Sequence, residues 1–127
     1  MLRTDFSDVA AWESLCAAVR KPVGDFQAYV DFVSDPEYDG MTTAEAISLI
    51  PADSNRTFFF IIDRLALSHP DHPVVVVDLY TEPGRTFRVI PGEIWGVENN
   101  LSLANMDFAE FADGTVRDGV FRGFPES

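Results

Sequence analysis

The sequence predicts an α/β fold, in which a single three-layer domain has a mixed sheet and helices on both faces. Apolar side chains fill successive positions between Thr57 and Asp63 and again from Val74 to Val77, so these strands need cover on both sides. Segments with helical spacing alternate with segments of strand character. No repeat, linker or low-complexity stretch divides residues 1–127, so we expect one domain.

The N-terminal segment predicts a short strand followed by a helix. Met1 to Asp5 form the strand, and either Asp5 or Ser7 is placed to cap the helix. We expect the helix to end at Lys21-Pro22, because proline disfavours helical geometry in the residue before it. Apolar residues recur at helical spacing along one face: Val9, Trp12, Leu15, Cys16 and Val19.

The next segment predicts a second strand and a short second helix. Apolar and polar residues alternate from Phe26 to Phe32, which indicates a strand at or near a sheet edge with one buried face. Asp35 to Gly40 form a turn-rich loop. Thr42 to Glu45 have the spacing of a capping box, and the helix that they begin is expected to run to about Ile50, before Pro51.

The central segment predicts three strands. The connection Arg64 to Pro73 is too short and too rich in proline for an ordinary crossover helix, so we expect the strands on either side of it to be antiparallel. A turn with Pro83-Gly84 at its centre joins Val74–Tyr80 to Thr86–Ile90 as a hairpin.

The last part of the chain predicts two helices. The first follows Pro91 and places Ile94, Val97, Leu101 and Ala104 on one face, and the second begins near Asn105 and includes Phe108 and Phe111. Gly119 to Phe124 are either a short edge strand or a surface aromatic segment. Right-handed crossovers with the first two helices on opposite faces predict a sheet of about five strands in the order 2-1-3-4-5.

Four segments of the chain together resemble a family of small actinobacterial proteins, a domain of unknown function, over nearly the whole length. The resemblance implies a bacterial cytoplasmic source and supplies no activity and no catalytic residues. The segments that carry it are Leu2–Asp8 with Trp12, Val76–Tyr80 continuing through Glu82–Val89, Glu98–Phe108, and Gly119–Phe124.

Charge and hydropathy exclude several classes of protein. The 21 acidic and 9 basic residues give a net charge of −12, so nucleic acid and anionic membrane surfaces are not expected as ligands. No apolar run approaches the roughly 18 to 20 residues that a membrane-spanning helix needs, and the N-terminus lacks the apolar region of a secretory signal. Cys16 is the single cysteine, so no intrachain disulfide is expected and a cytoplasmic location fits.

Three carboxylates are candidate binding residues. Asp5 and Asp63 follow strands that we expect to be parallel neighbours, which is where open α/β sheets place ligands. These two carboxylates could hold Mg²⁺ or divide acid and base roles between them. The alternative is that Asp5 caps a helix and Asp63 pairs with an arginine, and it is favoured because aspartates at strand ends are frequent helix caps and turn formers. If the hairpin loop has an even number of residues, Asp78 lies on the face of Val76 and Phe87, where it needs an arginine or backbone amides as partners. An odd number of residues would place it on the other face.

Polar residues elsewhere give weaker signals. Asn99 and Asn100 lie side by side within an apolar helix, so they are candidates to line a pocket or to bond to a neighbouring loop. His69, Asp71 and His72 are donor types that suit zinc, but their spacing is not diagnostic and a solvated loop is the simpler interpretation. No metal and no cofactor is expected.

Three functions remain open at this point. The first is a non-enzymatic acidic module that binds a basic protein, in the manner of small inhibitor or immunity proteins. The second is a small enzyme or ligand-binding domain with a carboxylate-lined pocket at the strand ends. The third is a self-associating structural domain, which would make a homo-oligomer. Phosphate-binding loops, a recognisable Ser-His-Asp context and paired cysteines are all missing from the sequence, which favours binding over catalysis.

Overall fold

The computed structural model describes residues 1–22, 30–51, 54, 56–103, 106–113 and 119–123. Within them lie five strands: β1 (Leu2–Arg3), β2 (Phe58–Ile62), β3 (Val74–Asp78), β4 (Thr86–Val89) and β5 (Val120–Phe121). The α-helices of the same residues are α1 (Val9–Arg20), α2 (Thr43–Ser48), α3 (Arg64–Ser68), α4 (Ile94–Ser102) and α5 (Phe108–Asp113). Short 3₁₀ turns cover Pro36–Tyr38 and Pro91–Glu93.

The strands form one mixed sheet in the order β1-β2-β3-β4-β5. β1 is parallel to β2, the pairs β2–β3 and β3–β4 are antiparallel, and β5 is parallel to β4. The antiparallel pairing of β2 with β3 follows from their connection, which is too short to return the chain to the other end of the sheet. The predicted mixed α/β sheet is therefore confirmed.

The strand order differs slightly from the predicted order 2-1-3-4-5. Most of the predicted second strand, Phe26 to Phe32, falls in residues 23–29, which lie outside the described residues. Just beyond it, Val33 forms a single parallel bridge to Leu2, on the side of β1 away from β2. The fifth strand of the observed sheet is β5, which adds the tail segment to the opposite edge.

The two faces of the sheet carry separate apolar cores. Helices α1, α3, α4 and α5 cover the first face, where Leu15, Val97 and Phe111 meet strand residues such as Ile62 and Val76. Helix α2 covers the second face, where Ala46 packs against four strand residues that point the other way: Phe59, Ile61, Val75 and Val77. Because successive side chains of a strand point to opposite faces, the uninterrupted apolar runs supply both cores.

Several helix boundaries depart from the sequence expectations. Asp8 caps α1, and its Oδ1 accepts the N–H of Ala11 at 2.9 Å, so the cap predicted at Asp5 or Ser7 is wrong. The capping box between Thr42 and Glu45 is present at the start of α2. Helix α3 occupies part of the connection for which no helix was expected, since one short turn fits there without crossing the sheet.

Candidate functional site

Asp63 follows the last residue of β2 and is held by two partners. Its Oδ1 accepts the N–H of Ala66 at 3.1 Å and thereby caps α3. The guanidinium of Arg88 on β4 donates two hydrogen bonds to it, from Nη1 to Oδ1 at 3.0 Å and from Nη2 to Oδ2 at 2.7 Å. Burial alone would raise the pKa of Asp63, but the hydrogen bonds from Arg88 and Ala66 and the charge of Arg88 outweigh burial and lower that pKa.

Asp5 lies two residues beyond β1 and takes part in a local turn. Its Oδ1 accepts the backbone N–H of Ser7 at 2.9 Å and also the Ser7 hydroxyl. The hydrogen bond from that hydroxyl is the main reason that the pKa of Asp5 is lowered. This turn occupies the carboxylate, which explains why the cap of α1 falls to Asp8 instead.

Asp78 ends β3 with its side chain buried on the first face of the sheet. Val77 pairs with Thr86, so the intervening loop has an even number of residues and Asp78 lies on the side of Val76 and Phe87. The residue is 2% exposed. Three backbone N–H groups donate to its carboxylate, from Tyr80 and Thr81 to Oδ1 at 2.9 and 3.4 Å and from Glu82 to Oδ2 at 2.8 Å. The partners of this buried carboxylate are therefore backbone amides of the following loop.

The three aspartates do not meet in one site. Asp78 pairs with Phe58, the first residue of β2, whereas Asp63 follows the last residue of that strand. A strand of five residues spans roughly 17 Å, so the two carboxylates lie at opposite ends of the sheet. Asp78 lines a cavity of about 360 Å³, and neither Asp5 nor Asp63 is among the residues that line it. Asp78 therefore shares no pocket with Asp63, whereas a pocket at Asp5 and Asp63, which follow the paired strands β1 and β2, remains a prediction.

The two asparagines of α4 also point to no common site. The Nδ2 of Asn100 donates to the Gly96 carbonyl at 2.8 Å, within the same helix. Asn99 is exposed, and its carbonyl accepts the N–H of Leu103 at 3.1 Å. A binding role for this pair remains a prediction.

The histidine loop uses its ring nitrogens locally. Nδ1 of His69 accepts the N–H of Asp71 at 3.0 Å, and Nδ1 of His72 lies 2.8 Å from the Ala66 carbonyl, to which it donates. Among the residues that the structure describes, no group of three or more His, Cys, Asp or Glu side chains is arranged to hold a metal ion.

A groove of about 290 Å³ lies on the second face of the sheet beside α2, and we call it the α2 groove. Leu49 and Val33 on its wall are 46% and 45% exposed, so the groove presents apolar side chains to the solvent. A second cavity of about 400 Å³ shares part of the wall, including Phe59 and Arg56. The other apolar residues that line the groove include Leu2, Tyr38, Ala46, Ile50 and Pro51.

Exposed carboxylates occur along the segment that supplies much of the wall of the α2 groove, residues 30–51. Glu37 and Asp39 flank Tyr38, which lines it, and both are exposed. Asp31, Asp35 and Glu45 are exposed as well, and the described residues 30–51 contain no lysine or arginine. Arg56 is the basic residue among those that line the groove. The layer formed by α2 and the loop before it is therefore strongly negative, with an apolar depression within it.

The family model described as "Domain of unknown function (DUF6924)" matches residues 1–124. The chain belongs to the DUF6924 family. No curated protein and no solved structure gives a match to it. Membership of DUF6924 assigns no reaction and no ligand, so functional inference rests on the geometry of the domain.

The sequence of this DUF6924 chain contains one signal for the negative segment beside the α2 groove. Residues 22–55 contain seven acidic residues and no lysine or arginine, a bias that the net charge of the whole chain hides.

The described helices of the domain include none that is long and apolar enough to cross a membrane.

Proposed function

We propose that this DUF6924 domain is a non-enzymatic binding module, and that its α2 groove binds a basic segment of a partner protein. The observation that carries the proposal is that the segment forming much of the wall of this apolar groove, residues 30–51, carries five exposed carboxylates and no lysine or arginine. The partner segment would place an apolar side chain against Leu49 and Tyr38 and its lysines or arginines near Glu37 and Asp39. Complementary charge of this kind favours encounter and selects the partner, while the apolar anchor supplies affinity.

The distribution of charge supports a basic partner over a neutral one. The cations Arg85, Arg88 and Arg122 are each engaged by carboxylates of this chain, to Asp113, Asp63 and Asp71 respectively. The five exposed carboxylates of residues 30–51 have no lysine or arginine in their own segment, so they outnumber Arg56 on the groove wall and leave a negative field at this face. Binding a cationic segment would relieve the mutual repulsion of these carboxylates.

Titration with synthetic peptides tests the proposal. The probe is a labelled peptide in which lysines alternate with leucines, and the control peptide carries serine in place of each leucine. We expect the leucine peptide to bind more tightly than the serine peptide. The affinity of both peptides should fall at high salt because counterions screen exposed charges. Equal binding of the two peptides would show that charge alone is being measured and would contradict a role for the groove.

A matched pair of variants locates the binding face. Glu37→Lys and Glu13→Lys each replace one exposed glutamate by lysine, the first beside the α2 groove and the second on α1. We expect Glu37→Lys to weaken peptide binding about fivefold, equivalent to roughly 1 kcal/mol, and Glu13→Lys to change it less than about twofold. The same loss in both variants would mean that net charge, and not the α2 face, determines binding.

We also propose that the protein acts in the cytoplasm of an actinobacterium. The support is the resemblance noted above and the burial of the single cysteine, Cys16, which is 5% exposed. Localisation of a tagged full chain by fractionation of an actinobacterial host tests this proposal, and recovery in the secreted fraction would contradict it.

A further inference from the structure

The cavity of about 360 Å³ that Asp78 lines is a second candidate site, and we call it the Asp78 cavity. Phe58 and Asp78, which pair with each other across β2 and β3, form the strand side of its wall. The end of α4 and residues 106–108 at the start of α5 supply the opposite side. The Asp78 cavity shares no lining residue with the α2 groove, so the two sites are separate.

Apolar side chains form a large part of the wall of the Asp78 cavity. Phe108 is 5% exposed, and its ring contacts that of Phe87 edge to face, with the centroids 4.9 Å apart. Phe58, Leu101 and Met106 are half-buried. Small-molecule sites typically have volumes of roughly 300 to 1,000 Å³ and apolar walls with a few polar groups, and this cavity fits that description.

Asp78 contributes a buried negative charge to the wall. Its carboxylate accepts only backbone N–H groups, those of Tyr80, Thr81 and Glu82. Within the part of the chain that the structure describes, it forms no ion pair with an arginine, lysine or histidine. A carboxylate offers about four acceptor sites, so three amide donors leave it capacity for one more. A cationic donor would also compensate its charge.

Asp107 is the second carboxylate of the wall. It is exposed and immediately precedes α5. The backbone N–H of Asp107 donates to Glu110, but its side chain makes no hydrogen bond or ion pair within the described structure. The described lining residues thus include two carboxylates and no arginine, lysine or histidine.

Charged residues beside the Asp78 cavity do not reverse this sign. Arg85 is held by two carboxylates of this chain, Glu82 and Asp113. Arg56 precedes the lining residue Thr57 in the sequence, but it lines the α2 groove and the cavity of about 400 Å³ and is not among the residues that line the Asp78 cavity. Two further carboxylates bond to lining residues: Glu98 to Ser102 and Glu110 to Asp107. The described surroundings therefore contain more carboxylates than cations and favour a cationic ligand.

We propose that the Asp78 cavity binds a small primary amine whose ammonium group is attached to an apolar or aromatic group. The ammonium would donate to the carboxylates of Asp78 and Asp107, and the hydroxyl of Thr81 offers a further acceptor. The apolar group would pack against Leu101 and Phe108. An ammonium has three N–H donors, so it suits a wall with several oxygen acceptors, and the apolar surroundings strengthen its attraction to the buried carboxylate.

Titration with 2-phenylethylamine tests the proposal by calorimetry and by NMR. The matched probes are 2-phenylethanol, which is neutral, and phenylacetate, which is anionic. We expect saturable binding of the amine, with the alcohol at least about tenfold weaker and the anion weaker still. The amide signals of Tyr80, Thr81 and Glu82 should shift with the amine, whereas that of Ala66, which donates to Asp63 at the other end of the sheet, should not. Equal binding of amine and alcohol, no saturation with the amine, or unchanged signals of all three loop amides would overturn the proposal.

A matched pair of variants distinguishes this site from general attraction of cations. Asp107→Asn removes a carboxylate from the wall, and Asp39→Asn removes an exposed carboxylate beside the α2 groove. We expect Asp107→Asn to weaken binding of the amine about fivefold and Asp39→Asn to change it less than about twofold. Asp78→Asn should reduce binding further, but Asp78 also holds its loop, so Asp107→Asn decides the test if thermal unfolding shows that Asp78→Asn is not folded. Equal losses in Asp107→Asn and Asp39→Asn would overturn the proposal.

Discussion

Asp63 and Arg88 join two strands that are not neighbours in the sheet. Asp63 follows β2 and Arg88 lies on β4, with β3 between them. Nη1 and Nη2 of the guanidinium reach the two carboxylate oxygens at 3.0 and 2.7 Å, and Nη1 also donates to the carbonyl of Pro73, just before β3, at 2.9 Å. The Arg88 side chain thus ties together β2, β3 and β4 at one end of the strands.

Loss of this pair is expected to destabilise the fold. Arg88→Met leaves the partly buried Asp63 carboxylate without its cation, and we expect the free energy of unfolding to fall by about 2 kcal/mol in urea titrations. The side chains are 24% and 32% exposed, which keeps the effect below that of a fully buried pair. Arg122→Met is the control, because its 3.4 Å contact with Asp71 is exposed and is expected to contribute less than about 0.5 kcal/mol. Equal losses in both variants would contradict this account.

The same pair predicts how stability depends on pH. The pKa of Asp63 in the folded protein lies below its ordinary value of 3.8, so its carboxylate contributes stability above that pH. This contribution is lost as the pH falls through the lowered pKa. Asp63→Asn can still cap α3 but carries no charge, so the stability difference between wild type and variant should be constant above about pH 5 and shrink at lower pH. Urea titrations across this range measure the difference, and growth of that difference in acid would contradict the assignment.

Substitution of Asp78 is expected to destabilise the fold independently of the Asp63–Arg88 pair. Asp78→Ala leaves the N–H groups of Tyr80 and Glu82 without their acceptor, and we expect a loss of about 3 kcal/mol. Hydrogen exchange of these two amides, measured by NMR, should become faster in the variant than in wild type. Glu82→Gln is the control because the backbone N–H of Glu82 is retained, and we expect little change in the exchange of Tyr80. Unchanged exchange of both amides in Asp78→Ala would contradict the assigned hydrogen bonds.

Local patterns in the sequence were sufficient to predict the centre of the sheet. β2 and β3 consist almost entirely of apolar residues, and Phe59–Ile62 and Val74–Val77 are buried because both faces of the sheet are covered. The side on which Asp78 lies depends on the parity of one hairpin loop, which the sequence left open and the pairing of Val77 with Thr86 fixes as even. Periodicity and turn length are properties of neighbouring residues, so a single sequence contains them.

Partners that are distant in the sequence could not be predicted in the same way. Arg64 adjoins Asp63 in the sequence, yet the partner of Asp63 is Arg88, because the order of the strands brings β4 close to the end of β2. The buried Arg3 donates to the hydroxyl of Ser34, which lies 31 residues away in the sequence and next to Val33, the residue that bridges to Leu2. The α2 groove contains no sequence motif, since it is assembled from separate segments of the chain.

The apolar wall of the α2 groove gives the last prediction. Leu49 is 46% exposed in the groove and Leu103 is 63% exposed at the end of α4, so Leu49→Ser and Leu103→Ser remove similar exposed surface at two places. We expect both variants to change the free energy of unfolding by less than about 1 kcal/mol, because much of each side chain is already in water. Leu49→Ser should weaken binding of the lysine–leucine peptide about fivefold, whereas Leu103→Ser should leave it within twofold, as measured by fluorescence anisotropy. If Leu103→Ser proved the more damaging change, the peptide would be binding near α4 and the α2 groove would not be its site.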